Sequence, residues 1–348
     1  MRILSKQSST TLDNISALDR FGDDVFNELF EQSIAQCKKS GLIEGRVLHV
    51  DATTIRADLD RNRVGKSDSP DPDARFGHFP NKKLEPGYKQ HTVADGRSRV
   101  IVGMSVTAAN SSEHDSAVGV IDEAVKSLKT IPEAVCADAA YASGNNRASL
   151  DERGIRLVSP PPKARTYTGD KYFTVEEFVY DESGDVFTCP AGEILKYIGR
   201  VKDRPNQRRY AGFRRVCRKC KLKDKCTKSD RRQLKVGVNH AALIRLRADS
   251  RTESFKKLYR SRAPVIEGVF AEAKEWHGLR RAWRRGLAKM QQQCLLIAAV
   301  INYKRLATHT NGCYRVLSAL KTAIGCLFRH FSYHLWNENR PSPQISRI

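Results

Sequence analysis

Asp51 in RVLHVDATTIRAD, Asp138 in AVCADAAYAS and Glu267 in LYRSRAPVIEGVFAEAKEWHGLRR are carboxylates in settings suited to chemistry. Each aspartate follows a short apolar run, VLHV or AVCA, which fits a rigid strand with its acid at the exposed edge. The glutamate lies in a helix-like segment crowded with Arg and Lys. Carboxylate oxygens suit hard cations such as Mg2+. Two such ions can clamp the attacking and leaving oxygens of an in-line phosphoryl displacement. Three carboxylates suffice if one bridges both ions. The plainer alternative is three ordinary acids on a solvated rim. With 39 Asp and Glu in the chain, spacing alone selects no triad.

A second constellation is Cys217-x2-Cys220-x5-Cys226, preceded by Cys189-Pro-Ala-Gly. Four thiolates can make a closed tetrahedral zinc site of the structural type. Cys-Pro-x-Gly is a tight turn able to present one of them. The bland alternative is four reduced thiols in a loop. Cys37, Cys136, Cys294 and Cys313 stand in apolar contexts and read as core. His49 shares a strand face with Asp51, two residues away, and reads as a packed strand histidine before a metal neighbour.

The whole chain sets limits on this chemistry. It has 348 residues, 40% of them hydrophobic, and a formal net charge of +22. The length permits a substantial core in one large domain or two smaller ones. The excess of Lys and Arg predicts attraction to a polyanion. The longest apolar run, Leu295 to Ile301, is too short to span a bilayer. The first residues, MRILSKQSSTTLDN, contain no apolar signal region, so the expected location is the cytoplasm. Nine scattered cysteines argue for thiols or metal ligands rather than a disulfide framework.

The elements that must position these residues follow from periodicity. Residues 23–40 place Phe26, Leu29, Phe30, Ile34 and Cys37 at helical spacing. A strand is expected over 47–55, a polar loop over 60–87, and a hairpin of 88–94 with 99–107 around Asp95-Gly96. A helix over 113–128 follows, then strand 134–138, helix 145–153 and strand 155–158. This alternation predicts an α/β mixed sheet flanked by helices. The texture changes at Pro160-Pro161-Pro162. Between Lys196 and Lys235 there are 17 Lys or Arg against three Asp, and the stretch reads as a basic insertion with few large apolar residues. Helical pattern returns at 252–276 and 287–306, with a last helix expected over 314–336. Within 277–289, Arg280, Arg281, Arg284 and Arg285 surround Trp283, a mix that suits phosphate contact with base stacking; the alternative is a solvated basic face over a core tryptophan.

The segments VDATTIRAD, GYKQHTVAD, VTAANSSEHD, ADAAYASGNN and the stretch from Tyr259 to Lys274 resemble DDE transposases of bacterial insertion sequences. The resemblance is to the branch with a Cys-containing insertion before the catalytic glutamate, and it covers about residues 25 to 305. It implies a ribonuclease-H-like core and makes Asp51, Asp138 and Glu267 the catalytic acids holding two Mg2+ or Mn2+. It also implies DNA contacts from a Tyr, Arg, Glu, Lys signature, here Tyr259, Arg262, Glu267 and Lys274. Pro264 would break a helix interior, so the helix bearing Glu267 is expected to begin near Ala263.

The expected organisation is a remnant of an N-terminal helical region at 1–45, the first part of the core at 46–160, the basic Cys-containing insertion at 161–245, the helical end of the core at 246–306, and an unassigned tail at 307–348. The expected activity is cleavage at insertion-sequence ends and strand transfer into target DNA, with double-stranded DNA and a second copy of the chain as partners in a bacterial nucleoid. The rivals are a truncated, non-catalytic DNA-binding derivative and a simple metal-dependent nuclease.

Overall fold

The structure, a computed structural model, describes residues 22–80, 83–162 and 172–310. The helix expected over 314–336, Cys313 and nearly all of the 307–348 tail lie outside the described residues. The described residues divide into two compact units, one formed by those up to 135 together with those from 261 onward, the other by those between 136 and 260.

In the first unit α1 (Asp23–Lys39) precedes β1 (Val47–Arg56). Strands β2 (Arg75–His78), β3 (Leu84–Asp95) and β4 (Ile101–Ala108) follow, then α2 (Glu113–Leu128) and β5 (Ala134–Cys136). β3 is the spine. It pairs antiparallel with β1, Asp51 standing opposite Thr92, and also with β2 and β4. β5 lies beside β1, and the division between the units falls within it. The outcome is the mixed α/β sheet, flanked by helices, that the alternation of patterns predicts.

The region expected as a loop, 60–87, is more ordered than its polar texture implies. It holds a 3-10 turn at Arg61–Arg63, all of β2 and the start of β3. Backbone pairing across Arg75–His78 and Leu84–Gly87 supplies the order, and hydropathy does not report such pairing. Gly103 lets α2 approach β4 closely, since a Cβ there would meet Ala124 Cβ at 2.8 Å.

Two more helices of this unit among the described residues are α8 (Arg262–Trp276) and α9 (Leu287–His309). α9 packs on α1 and β4, while α8 lies on β1. Asn302, fully buried on α9, accepts from Ile101 N–H at 2.8 Å and donates to Ile101 C=O and to Ser33 Oγ. One side chain thus ties the helix to a sheet strand and to α1.

The second unit contains α3 (Gly144–Glu152), β6 (Arg156–Val158), α6 (His240–Asp249) and α7 (Glu253–Arg260). Asp249 on α6 takes Arg147 at 3.2 Å and Arg156 at 2.5 Å, which fixes α6 against α3 and β6. The segment expected to be core-poor has a sheet of its own, ordered β11–β10–β9–β8–β7: β7 (Val179–Asp181), β8 (Val186–Thr188), β9 (Ile194–Val201), β10 (Arg204–Ala211) and β11 (Gln233–Gly237). Short helices α4 (Arg214–Arg218) and α5 (Lys223–Cys226) join β10 to β11. Phe178, Phe187, Leu195, Tyr210, Leu234 and Val236 form its apolar core. A few large side chains at alternate strand positions suffice, because alternation puts them all on one face.

The single helix expected over 252–276 is two. α7 ends at Arg260 and α8 begins at Arg262. Pro264 explains the break: it has no N–H to give, and its ring opposes the carbonyl four residues back, at Arg260.

Candidate active site and nucleic-acid interface

In the first unit β1 and α8 bring two of the singled-out residues into contact. Asp51 Oδ1 accepts the N–H of Ala52 at 2.8 Å, and its Oδ2 accepts Arg262 Nη1 at 2.7 Å. Both side chains are largely buried, 18% and 12% exposed, so solvent screens the pair weakly. Glu267, further along α8, is exposed. His49 is buried beside this pair, and burial, then the Arg262 charge, pushes its pKa down to about 4. It is a neutral, packed strand histidine.

Lys274 on α8 lines a cleft of about 340 Å3 with Arg280, Arg281, Arg56, Lys83 and Thr54. Burial, then the neighbouring Arg280, lowers the Lys274 pKa. Crowded cations of this kind favour an anionic ligand. Arg56 and Lys83 are absent from the sequence reading; their signal is spatial, not a spacing along the chain. Arg56 is paired with Glu85, and Arg280 with Glu275.

The arginine cluster is not one surface. Arg281 and Arg285 are exposed, whereas Arg284 is buried and donates to Gln292 Oε1. Trp283 is 38% exposed, and its indole N–H donates to Gly278 C=O at 3.3 Å. Asp71 and Asp73 anchor the end of this segment. Asp71 accepts Tyr88 O–H and Gly286 N–H, and Asp73 accepts Leu287 N–H at 2.9 Å at the start of α9. Carboxylates at a helix N-terminus suit its dipole. The Asp-Pro-Asp string at 71–73 is the signal that would have found them.

In the second unit Asp138 is half-buried. Its carboxylate caps the 3-10 turn Ala139–Tyr141 by accepting Ala140 N–H at 2.9 Å, and its C=O accepts Ser159 O–H. Tyr259 stacks on Phe255, ring centroids 6.4 Å apart. Cys189, Cys217, Cys220 and Cys226 all line one small cavity. The Cys226 pKa is raised by burial; Arg232 lowers it, and the other three thiols raise it further.

Among the described residues, no three His, Cys, Asp or Glu side chains stand in a metal-holding arrangement. No helix among them is long and apolar enough to cross a membrane.

Residues 188–307 match the family model described as "Transposase DDE domain". Over this segment the chain is similar to DDE transposase domains. The match begins beside Cys189, so it takes in the four cysteines at 189–226, strands β9 to β11 and α8 with Glu267. The chain is similar to piggyBac transposase in a synaptic complex with hairpin DNA, with a TM-score of 0.37 and 10% identity over 86% of this chain and 55% of that one. It is also similar to Mos1 transposase in a paired-end complex with the left transposon end, with a TM-score of 0.22 and 9% identity over 37% and 41% of the two chains. The chain therefore spans about half the length of these transposases. No curated protein matches it.

Proposed function

We propose that the chain is a DNA transposase that cuts phosphodiesters at insertion-sequence ends and joins the freed 3′-hydroxyl to target DNA. The observation that carries this reading is the DDE domain match over residues 188–307, which includes Glu267 on α8. The basic cleft around Lys274 supports it. Asp138 is assigned to catalysis on the resemblance alone.

The chain's own residues have definable parts. Lys274, Arg280 and Arg281 supply positive charge for a phosphodiester backbone, with guanidinium forks matching phosphate oxygens. Arg262 holds the Asp51 carboxylate in place on β1. Tyr259 and Arg285 are further DNA contacts in this reading, whereas burial of Arg284 makes it a brace for the segment. The partners are double-stranded DNA and a second copy of the chain.

The resemblance implies two Mg2+ or Mn2+ on Asp51, Asp138 and Glu267. Their oxygens have the right chemistry for such ions. Within the first unit Asp51 does not fit them as observed, since Arg262 already occupies it, and among the described residues no three acids form a metal-holding group.

The test is a plasmid assay with the full chain and Mg2+ or Mn2+. Nicking and joining of a precut element end are expected, and Asp51→Ala, Asp138→Ala and Glu267→Ala should each abolish both. Nicking without joining would mark a simple nuclease. DNA binding with neither activity would favour the second reading, a non-catalytic DNA-binding protein. One observation already favours that alternative: the Asp51 carboxylate is engaged by a guanidinium.

A further inference from the structure

Cys189 is separated in sequence from Cys217, Cys220 and Cys226, and the four come from three places in the second unit. Cys189 sits at the tip of the β8–β9 hairpin. Its turn is closed by Gly192 N–H to Cys189 C=O and by Cys189 N–H to Glu193 C=O, each 2.8 Å, with Gly192 at φ +83°. Only glycine adopts that backbone without strain. Cys217 and Cys220 flank the end of α4, where Cys217 N–H donates to Phe213 C=O at 3.0 Å. Leu222 N–H points at Cys220 Sγ, 3.4 Å away. Cys226 ends α5. An amide aimed at a sulfur stabilises negative charge there, which a thiolate carries and a thiol does not.

The four side chains line one cavity with about 30 Å3 of accessible space, room for a single water-sized guest. That size excludes an organic ligand and admits an ion. Cys189 and Cys226 also pack on the apolar core of the five-stranded sheet, so the cavity adjoins a fixed wall. Lys223 and Arg232 line it as well, and Arg232 donates to Cys226 C=O at 2.7 Å. By contrast, Cys37, Cys136 and Cys294 are buried.

We infer that Cys189, Cys217, Cys220 and Cys226 form a structural zinc site that clamps α4 and α5 onto the β8–β9 hairpin. Four sulfurs with no open position suit Zn2+ in tetrahedral coordination, at about 2.3 Å per Zn–S bond. On binding, each thiol gives one proton to solvent and one Zn–S bond forms in its place. No electrons are transferred. The resulting centre carries two negative charges, and Lys223 and Arg232 stand beside it to offset them. No three donors among the described residues stand at metal-holding spacing, so binding requires the four thiols to move inward around the ion. The site is independent of the transposase reading, since it needs no DNA and no carboxylate.

The experiment is zinc analysis of the full chain, purified under reducing conditions, loaded with excess Zn2+ and dialysed. One zinc per chain is expected, released to a chromogenic chelator by a mercurial thiol reagent. Cys189→Ser and Cys226→Ser should each lose most of the zinc, while Cys136→Ser should retain it. Because a ligand variant can fail to fold, wild-type protein is also loaded with Co2+, where thiolate-to-cobalt charge-transfer and tetrahedral d–d absorption are expected. A folded wild type that retains no zinc after loading overturns the site. So does zinc retained in full by the Cys189 and Cys226 variants, or a cobalt spectrum without thiolate bands.

Discussion

The Asp51 region of the first unit and the cysteine-bearing sheet of the second are held together by different physics. Around Asp51 a charged pair is buried, with His49 kept neutral beside it. Such a pair is costly to bury and costly to break. Around Phe187 the order comes from six buried side chains, five of them on short strands and Phe178 just before β7, bordered by four thiols. The first arrangement stores charge where chemistry is proposed. The second provides a scaffold and depends on area removed from water. Small sheets with little core commonly need a further staple, which is the physical place for the proposed zinc.

The contrast breaks most readily at the apolar centre. Phe187 is fully buried, and Phe187→Ala is expected to cost about 3–5 kcal/mol. Denaturant unfolding followed by hydrogen exchange should show the loss concentrated in 172–240 and absent from β1 and β3. Uniform loss across both units would remove the distinction between them. Next in size, Arg262→Gln leaves a mostly buried carboxylate without its cation and should cost about 1–3 kcal/mol. In the same variant the His49 imidazole, followed by NMR, should titrate at higher pH, because the Arg262 charge that depresses it is gone. An unmoved His49 would show that burial alone sets its value.

A weaker, pH-dependent effect sharpens the picture of the first unit. Burial, then Arg262 for His49 and Lys89 for His91, lowers both histidines from 6.5 to about 4. Between those values the unfolded chain binds more protons than the folded one, so stability must fall as pH drops from 6.5 towards 4. Urea midpoints across that window should follow this slope, and His91→Gln should flatten it. The smallest effect is expected at Arg46 and Glu133, an exposed pair at 2.7 Å. Arg46→Ala should leave the thermal midpoint unchanged, because solvent screens such pairs.

Much of the sheet was legible because its signal is local. The patterns over 23–40, 47–55 and 113–128 become α1 at Asp23–Lys39, β1 at Val47–Arg56 and α2 at Glu113–Leu128. The 60–87 segment and the five-stranded sheet were less legible. Short strands gain their order from a partner strand, and polar residues on the open face mask the alternation. The break at Ser261 was half legible, since Pro264 marks where a helix must begin but not that another ends just before it.

By itself, the sequence determined the periodic elements, the basic balance and the chemical types present: three separated carboxylates, four clustered thiols, and a string of arginines. Tertiary structure decided which of these meet. Asp51 and Arg262 are 211 residues apart and touch because α8 lies on β1. Arg284 turns inward while Arg281 and Arg285 face solvent, a difference that adjacent, identical side chains cannot encode locally. Periodicity fixes which face of an element is apolar. Only the packing of one element on another fixes which charges become neighbours and how much water is left between them.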